Sequence, residues 1–143
     1  MNSKEAIFKK YIMDYDLEVP EEKIQQEYEF IRADMRHRMQ YGQMTGESFH
    51  LFPEMELRER EEELRELALF EAKSELVLKE LMKNPEFDVT QEELNKEGER
   101  LAKEEGTHLD MIKRFFGDDL KGLERDVKER KIKEWIESNY SLS

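Results

Sequence analysis

The chain contains no cysteine, so its fold has neither disulfides nor a thiolate metal site. It lacks any run approaching the 18 or more apolar residues that a membrane span needs. The amino-terminal stretch MNSKEAIFKKYIMDYDLEV breaks its apolar residues with charges every few positions, which excludes a signal peptide. Glycine and proline are scarce, at six and three, and the glycines are dispersed with none ahead of Lys-Ser or Lys-Thr. A phosphate-cradling loop is therefore excluded, and an ATP-driven mechanism with it. Residues suited to strands are few as well: Val, Ile and Thr total fourteen, and nothing alternates with period two, so no sheet is expected.

What the 143 residues do hold is charge. Asp, Glu, Lys and Arg make up 42%, apolar residues 37%, and 36 acids against 24 bases leave a net charge of −12. The balance excludes nucleic-acid binding through a basic patch, which needs clustered Lys and Arg. Apolar content is low for a globular core, yet it is periodic, which argues against disorder and for an elongated helical protein. A high like charge also keeps a chain with exposed apolar surface in solution. A cytoplasmic protein is expected.

The periodicity predicts helices almost throughout. A first helix covers about Ser3 to Tyr15. Pro20 reads as the first position of a second helix, whose Ile24, Tyr28, Ile31, Met35 and Met39 form one apolar stripe. Gly42 and Gly46 are expected to break it, and Pro53 to open a third helix reaching Asn84, supported by pairs such as Glu54 with Arg58 and Glu61 with Arg65. Asn84-Pro85 ends that helix. Thr90 and Glu93 form a capping box for the next, Gly98 marks a close backbone approach, and Gly106 is the stop. Thr107 is read as the cap of a short helix ending at Phe116, Gly117 as its left-handed terminus, and Asp118 as the start of the last helix, with Trp135 in its core face.

Candidate chemistry is sparse. Glu47 to His50 (ESFH) and Asp34 to His37 (DMRH) have Glu-x-x-His-like spacing, but the first lies in a Gly-flanked turn and the second has Arg36 and Arg38 beside it, so no metal site is expected. The few serines lie near the ends, in the turn, or at Ser74, without a histidine spaced to act as base. The methionines are more telling. Met44 and Met55 gather with Phe49, Leu51 and Phe52 around the first turn, and Met111, Phe115 and Phe116 form a second candidate surface. Methionine is flexible and polarisable, which suits adaptation to unrelated partners.

The stretch LEVPEEKI, Leu17 to Ile24, is echoed by FDVTQEEL, Phe87 to Leu94, and each opens a helix. With DVTQEELNKEGERLAKEEG, a short helix ending in FFG and a closing amphipathic helix, the chain from about Lys9 to Asn139 resembles the C-terminal chaperone domain of bacterial trigger factor. The resemblance implies an all-α, elongated fold with two helical arms. It would form a single domain over 1–143, with an amino-terminal helix over about 1–18, a long hairpin carrying the first arm over 20–84, and the second arm and closing helix over 90–139. Full-length members also carry a ribosome-docking and a prolyl isomerase domain, for which the residues preceding the match leave no room. The chain would then be stand-alone or excised, and Met1 followed directly by a helix favours the former.

The expected function is that of an ATP-independent holdase, not an enzyme and needing no cofactor. Its client-binding residues would be Met44, Phe49, Leu51, Phe52, Met55, Met111, Phe115 and Phe116. Expected partners are unfolded or nascent polypeptides, with weak homodimer formation as a further expectation. The alternative is a helical adaptor binding one specific protein.

Overall fold

The computed structural model describes residues 2–141, and among these every regular element is helical. Seven α-helices are found: α1 (Ser3–Asp14), α2 (Glu21–Thr45), α3 (Pro53–Glu59), α4 (Glu61–Leu81), α5 (Gln91–Glu104), α6 (Leu109–Phe116) and α7 (Glu124–Asn139). Short 3-10 turns lie at Pro85–Phe87 and Lys121–Leu123. The residues pack into two compact units, one formed by 12–77 and the other by 1–11 with 78–143.

In the 12–77 unit the stripe of α2 meets α3 and α4. Tyr28 and Met39 are buried with Leu57, Leu64 and Ala68, and Ile24, Ile31 and Met35 pack against that cluster. Burying each large side chain of this kind contributes about 1.5–3 kcal/mol. Polar contacts seal the edges: the Arg65 guanidinium lies 4.1 Å from the centre of the Tyr28 ring and donates to Gln25 Oε1 at 3.0 Å, and the nearly buried Lys73 donates to the Met13 carbonyl at 2.8 Å.

Several boundaries differ from expectation. Pro20 precedes α2 as its cap rather than opening it, and Gly42 does not break the helix, which runs on to Thr45. Gly46, left-handed at φ 82°, is the terminus. The third helix is not continuous to Asn84. At Arg60 ψ rises to 8° and its N–H is shared between the Glu56 and Leu57 carbonyls, a 3-10-like tightening that divides α3 from α4. Neither does Glu54 serve Arg58 as its hydrogen-bond partner. It turns to α2, accepting from Arg32 and pairing with Arg36 at 3.2 Å. The Glu61–Arg65 pair forms as expected, at 3.3 Å.

In the other unit the capping box is present in both halves. Thr90 Oγ1 accepts from the Glu93 N–H at 3.2 Å and Glu93 Oε1 accepts from the Thr90 N–H at 3.0 Å. Gly106 ends α5 in a Schellman arrangement, with the Thr107 N–H on the Ala102 carbonyl and the Gly106 N–H on that of Lys103. His108, not Thr107, caps α6. Gly117 has positive φ but an extended ψ, and the left-handed residue is instead Leu120, at φ 62° and fully buried. This double reversal delays α7 from Asp118 to Glu124. Gly98 faces side chains rather than backbone: a Cβ there would lie 2.6 Å from Leu120 Cδ1. Leu94, Ala102, Ile112, Leu120, Leu123 and Val127 form the core. Trp135, expected inside, is 41% exposed and meets Tyr11 and Phe87 edge-on.

Candidate binding surfaces

The segment between α2 and α3 owes its shape to two glycines and a proline. Gly42 lies so close to the returning chain that a Cβ would sit 2.3 Å from Ser48 Oγ, and the Ser48 N–H donates to the Gly42 carbonyl at 3.1 Å. Gly46 supplies the left-handed reversal, and Pro53 fixes the entry of α3. His50 Nδ1 contacts Glu56 Oε2 at 2.6 Å, tying the segment to α3. The hydrogen bond from Arg32, aided by the charge of Arg36, holds the Glu54 carboxyl below the usual carboxylate range, so this clamp between α2 and α3 is ionised at neutral pH.

These contacts leave the apolar side chains of the turn outward. Leu57 takes the one inward position of α3, and Met55, two residues earlier and so more than half a turn round the helix, points away. Met44 is 85% and Phe49 72% exposed, and Tyr41, Leu51, Phe52 and Met55 all expose more than half their surface. Five of the residues expected to contact a client thus share one continuous stretch of chain.

The second surface divides by helical face. Leu109, Ile112 and Phe116 of α6 turn toward the core, while Met111 and Phe115, four apart, turn to solvent. A groove of ≈ 400 Å³ runs along this edge, floored by Leu101 and Ile112 and bordered by Met111, Phe115 and Phe116. Phe116 is half-buried and packs against the core, so it reaches the groove with only part of its ring, whereas Phe115 stands clear.

Of the residues with metal-like spacing, Asp34 and His50 take other partners. Asp34 pairs with Arg38 at 3.1 Å and His50 with Glu56, and among the described residues no three His, Asp or Glu side chains converge as a metal would require. No described helix is long and apolar enough to cross a membrane. Sequence reasoning missed Phe30, an exposed aromatic on the far side of α2 from the buried stripe; its spacing from Tyr41 and Met44 was the available signal.

Comparison with known proteins adds the lineage. The family described as bacterial trigger factor protein (TF) C-terminus matches residues 1–138. The chain is similar to the trigger factors of Caldicellulosiruptor bescii, 28% identical over 139 residues, and of Geobacillus sp. (strain WCH70), 24% identical over 140, covering 96% and 98% of this chain. That of Carboxydothermus hydrogenoformans is 26% identical over 133 residues, 93% of this chain. The chain spans about a third of the length of these curated relatives. No solved structure matches. With the family match extending over all but the last five residues, the chain belongs to the family of the bacterial trigger factor C-terminus.

Proposed function

We propose that the protein is an ATP-independent holdase that binds apolar segments of unfolded or nascent polypeptides. The observation that carries this reading is the exposed run from Tyr41 to Met55, in which six large apolar side chains face solvent on a unit whose core is filled by other residues. Leaving such side chains exposed forgoes the burial free energy each could contribute, and contiguous apolar patches mark interaction sites. Their chemistry is that of an adaptable surface, two methionines and two phenylalanines carried partly on irregular backbone. The Phe115 groove is a second, smaller contact of the same kind. Each contact alone would be weak, and several acting on one extended client gain by effective concentration. Release needs no nucleotide, because a client that buries its own apolar residues withdraws them from the chaperone. No step requires an enzyme or cofactor.

The test is suppression of aggregation of two unrelated denatured clients without nucleotide, against a comparably acidic helical control. Both clients should stay soluble near stoichiometric ratios, and the Phe49→Ala/Phe52→Ala variant should bind them several-fold more weakly with unchanged helicity. Unaltered affinity in that variant would remove the site, and failure to suppress either client would remove the function.

A second reading, an adaptor for one specific partner, has Trp135 in its favour. Its half-exposed ring meets Phe87 at 5.6 Å and Tyr11 at 6.4 Å, and Tyr11 meets Tyr140 at 5.2 Å, a compact aromatic centre of the type that dominates specific interfaces. Trp135→Ala separates the two: on the holdase reading it leaves suppression through residues 41–55 intact.

A further inference from the structure

The sulfur chemistry of this chain is carried by methionine alone, for it has eight methionines and no cysteine. The fold sorts them by access. Met39 is buried in the core of the 12–77 unit. Met35, one turn earlier on α2, packs against that core, and its Sδ accepts from Arg60 Nη1 at 3.2 Å, so a lone pair of that sulfur is engaged. Met44 and Met55 stand at the other extreme, 85% and 54% exposed, the two most accessible methionines among the described residues. Met44 lies in the last turn of α2 and Met55 in the first turn of α3, so they flank the irregular segment that carries Phe49, Leu51 and Phe52. Neither belongs to the core cluster of its unit.

The most accessible sulfurs therefore fall on the face proposed above to bind clients, and the packing of the unit does not depend on them. With no thiolate in the chain, no faster-reacting sulfur competes for an oxidant. Oxidation turns an apolar thioether into a polar sulfoxide. Pressing an apolar client segment onto the sulfoxide oxygen strips its water without returning a hydrogen bond, which opposes binding.

We propose that Met44 and Met55 form a reversible oxidation site, at which a hydroperoxide switches the client surface from apolar to polar. Its consequence for clients rests on the holdase reading. In the step a lone pair of Sδ attacks one oxygen of hydrogen peroxide. The S–O bond forms, the O–O bond breaks, and the departing hydroxide takes the proton of the transferred oxygen to leave as water. Sulfur gives up two electrons and the peroxide accepts them. A sulfoxide reductase supplied with a dithiol reverses the step, the dithiol becoming a disulfide and the oxygen leaving as water, and the exposure of both side chains gives such an enzyme access.

The test treats the whole chain with limiting hydrogen peroxide and removes the peroxide before a fluorescently labelled, permanently unfolded client is added. Peptide mass mapping reads sulfoxide at each methionine, and client affinity is measured on the same samples. Met44 and Met55 should oxidise roughly tenfold or more faster than Met39, and with helicity unchanged the affinity should fall about fivefold or more. Methionine sulfoxide reductases for both epimers, with dithiothreitol, should restore it. The Met44→Leu/Met55→Leu variant conserves apolar volume and should bind the client equally before and after peroxide. Oxidation of Met39 at the rate of Met44, unchanged affinity once Met44 and Met55 are oxidised, or an equal loss in the leucine variant overturns the proposal. A chain that binds no client before peroxide is added removes the holdase reading itself and the switch with it, so the unoxidised sample tells the two failures apart.

Discussion

Gly98 and Leu120 show one residue's absence of a side chain enabling another's position. Leu120 holds a left-handed backbone, which costs an L-residue about 1–2 kcal/mol. Full burial of the side chain contributes about 1.5–3 kcal/mol, enough to outweigh it. The space Leu120 fills exists because α5 has no Cβ at position 98, where one would approach Leu120 Cδ1 to 2.6 Å and Leu109 Cδ1 to 3.0 Å. Gly98→Ala gains up to about 1 kcal/mol of helix propensity, but overpacking a closed core costs about 1–3 kcal/mol. A lower urea midpoint with an unchanged slope is the expected result, and an increase would show that the leucines can move aside. None of this was legible beforehand. A glycine inside a helix signals close approach without naming the neighbour, and nothing in the string GDDLKG marks the leucine as the left-handed residue. Trp135 was misplaced for a related reason: its spacing from Ile132 and Ile136 puts it near the apolar face, but the periodicity cannot say where that face ends.

At the scale of elements, the starts of α3 and α5 were the most readable features because each depends on chemistry within four residues. Pro53 and the Thr90–Glu93 box are local, and both appear where they were expected. The tightening at Arg60 and the late start of α7 depend on neighbours remote in sequence, and were not. The joining of α5 to α7 is of this second kind. Glu97 is nearly buried and accepts from Arg100 of its own helix and from Arg130 of α7, the latter at 2.5 Å. Burial pushes its carboxyl upward, but the two guanidinium hydrogen bonds prevail and hold it below the usual range. A carboxyl depressed in the folded state contributes stability that is fully present above its unfolded value, near 4.5, and is lost as pH falls through the folded value. Glu97→Gln should therefore cost roughly 1–2 kcal/mol at pH 7, less than a fully enclosed pair because both arginines are half-exposed. Thermal unfolding of the two proteins should converge as the pH drops below about 4.5. A constant difference down to pH 3 would mean that the glutamine disturbs packing rather than charge.

For the whole molecule, the distribution of charge constrains what the apolar surface can do. Of the net −12, residues 12–77 carry −10, yet residues 30–58, which bear the exposed run, hold four acids and four bases and are neutral. On the holdase reading, a neutral, apolar region on an acidic unit would accept extended clients of varied charge while the remainder resists indiscriminate aggregation. Composition made the acidic surface legible from the outset, and the exposure of the Met and Phe side chains of the first turn was legible from the glycines and proline around them. The exposed face of α2 was harder to read because Phe30, Tyr41 and Met44 interleave with the buried stripe on the same helix. Tyr41 and Met44 stand on the last turns of α2, where the helix fixes their spacing. Phe49 and Phe52 lie beyond the end of α2, on backbone that is not helical. On the holdase reading the two groups act separately, so Tyr41→Ala/Met44→Ala should lower aggregation suppression without abolishing it, and adding Phe49→Ala/Phe52→Ala should lower it further. Equal suppression by the Tyr41→Ala/Met44→Ala variant and the unmodified chain would show that clients bind residues 49–55 alone.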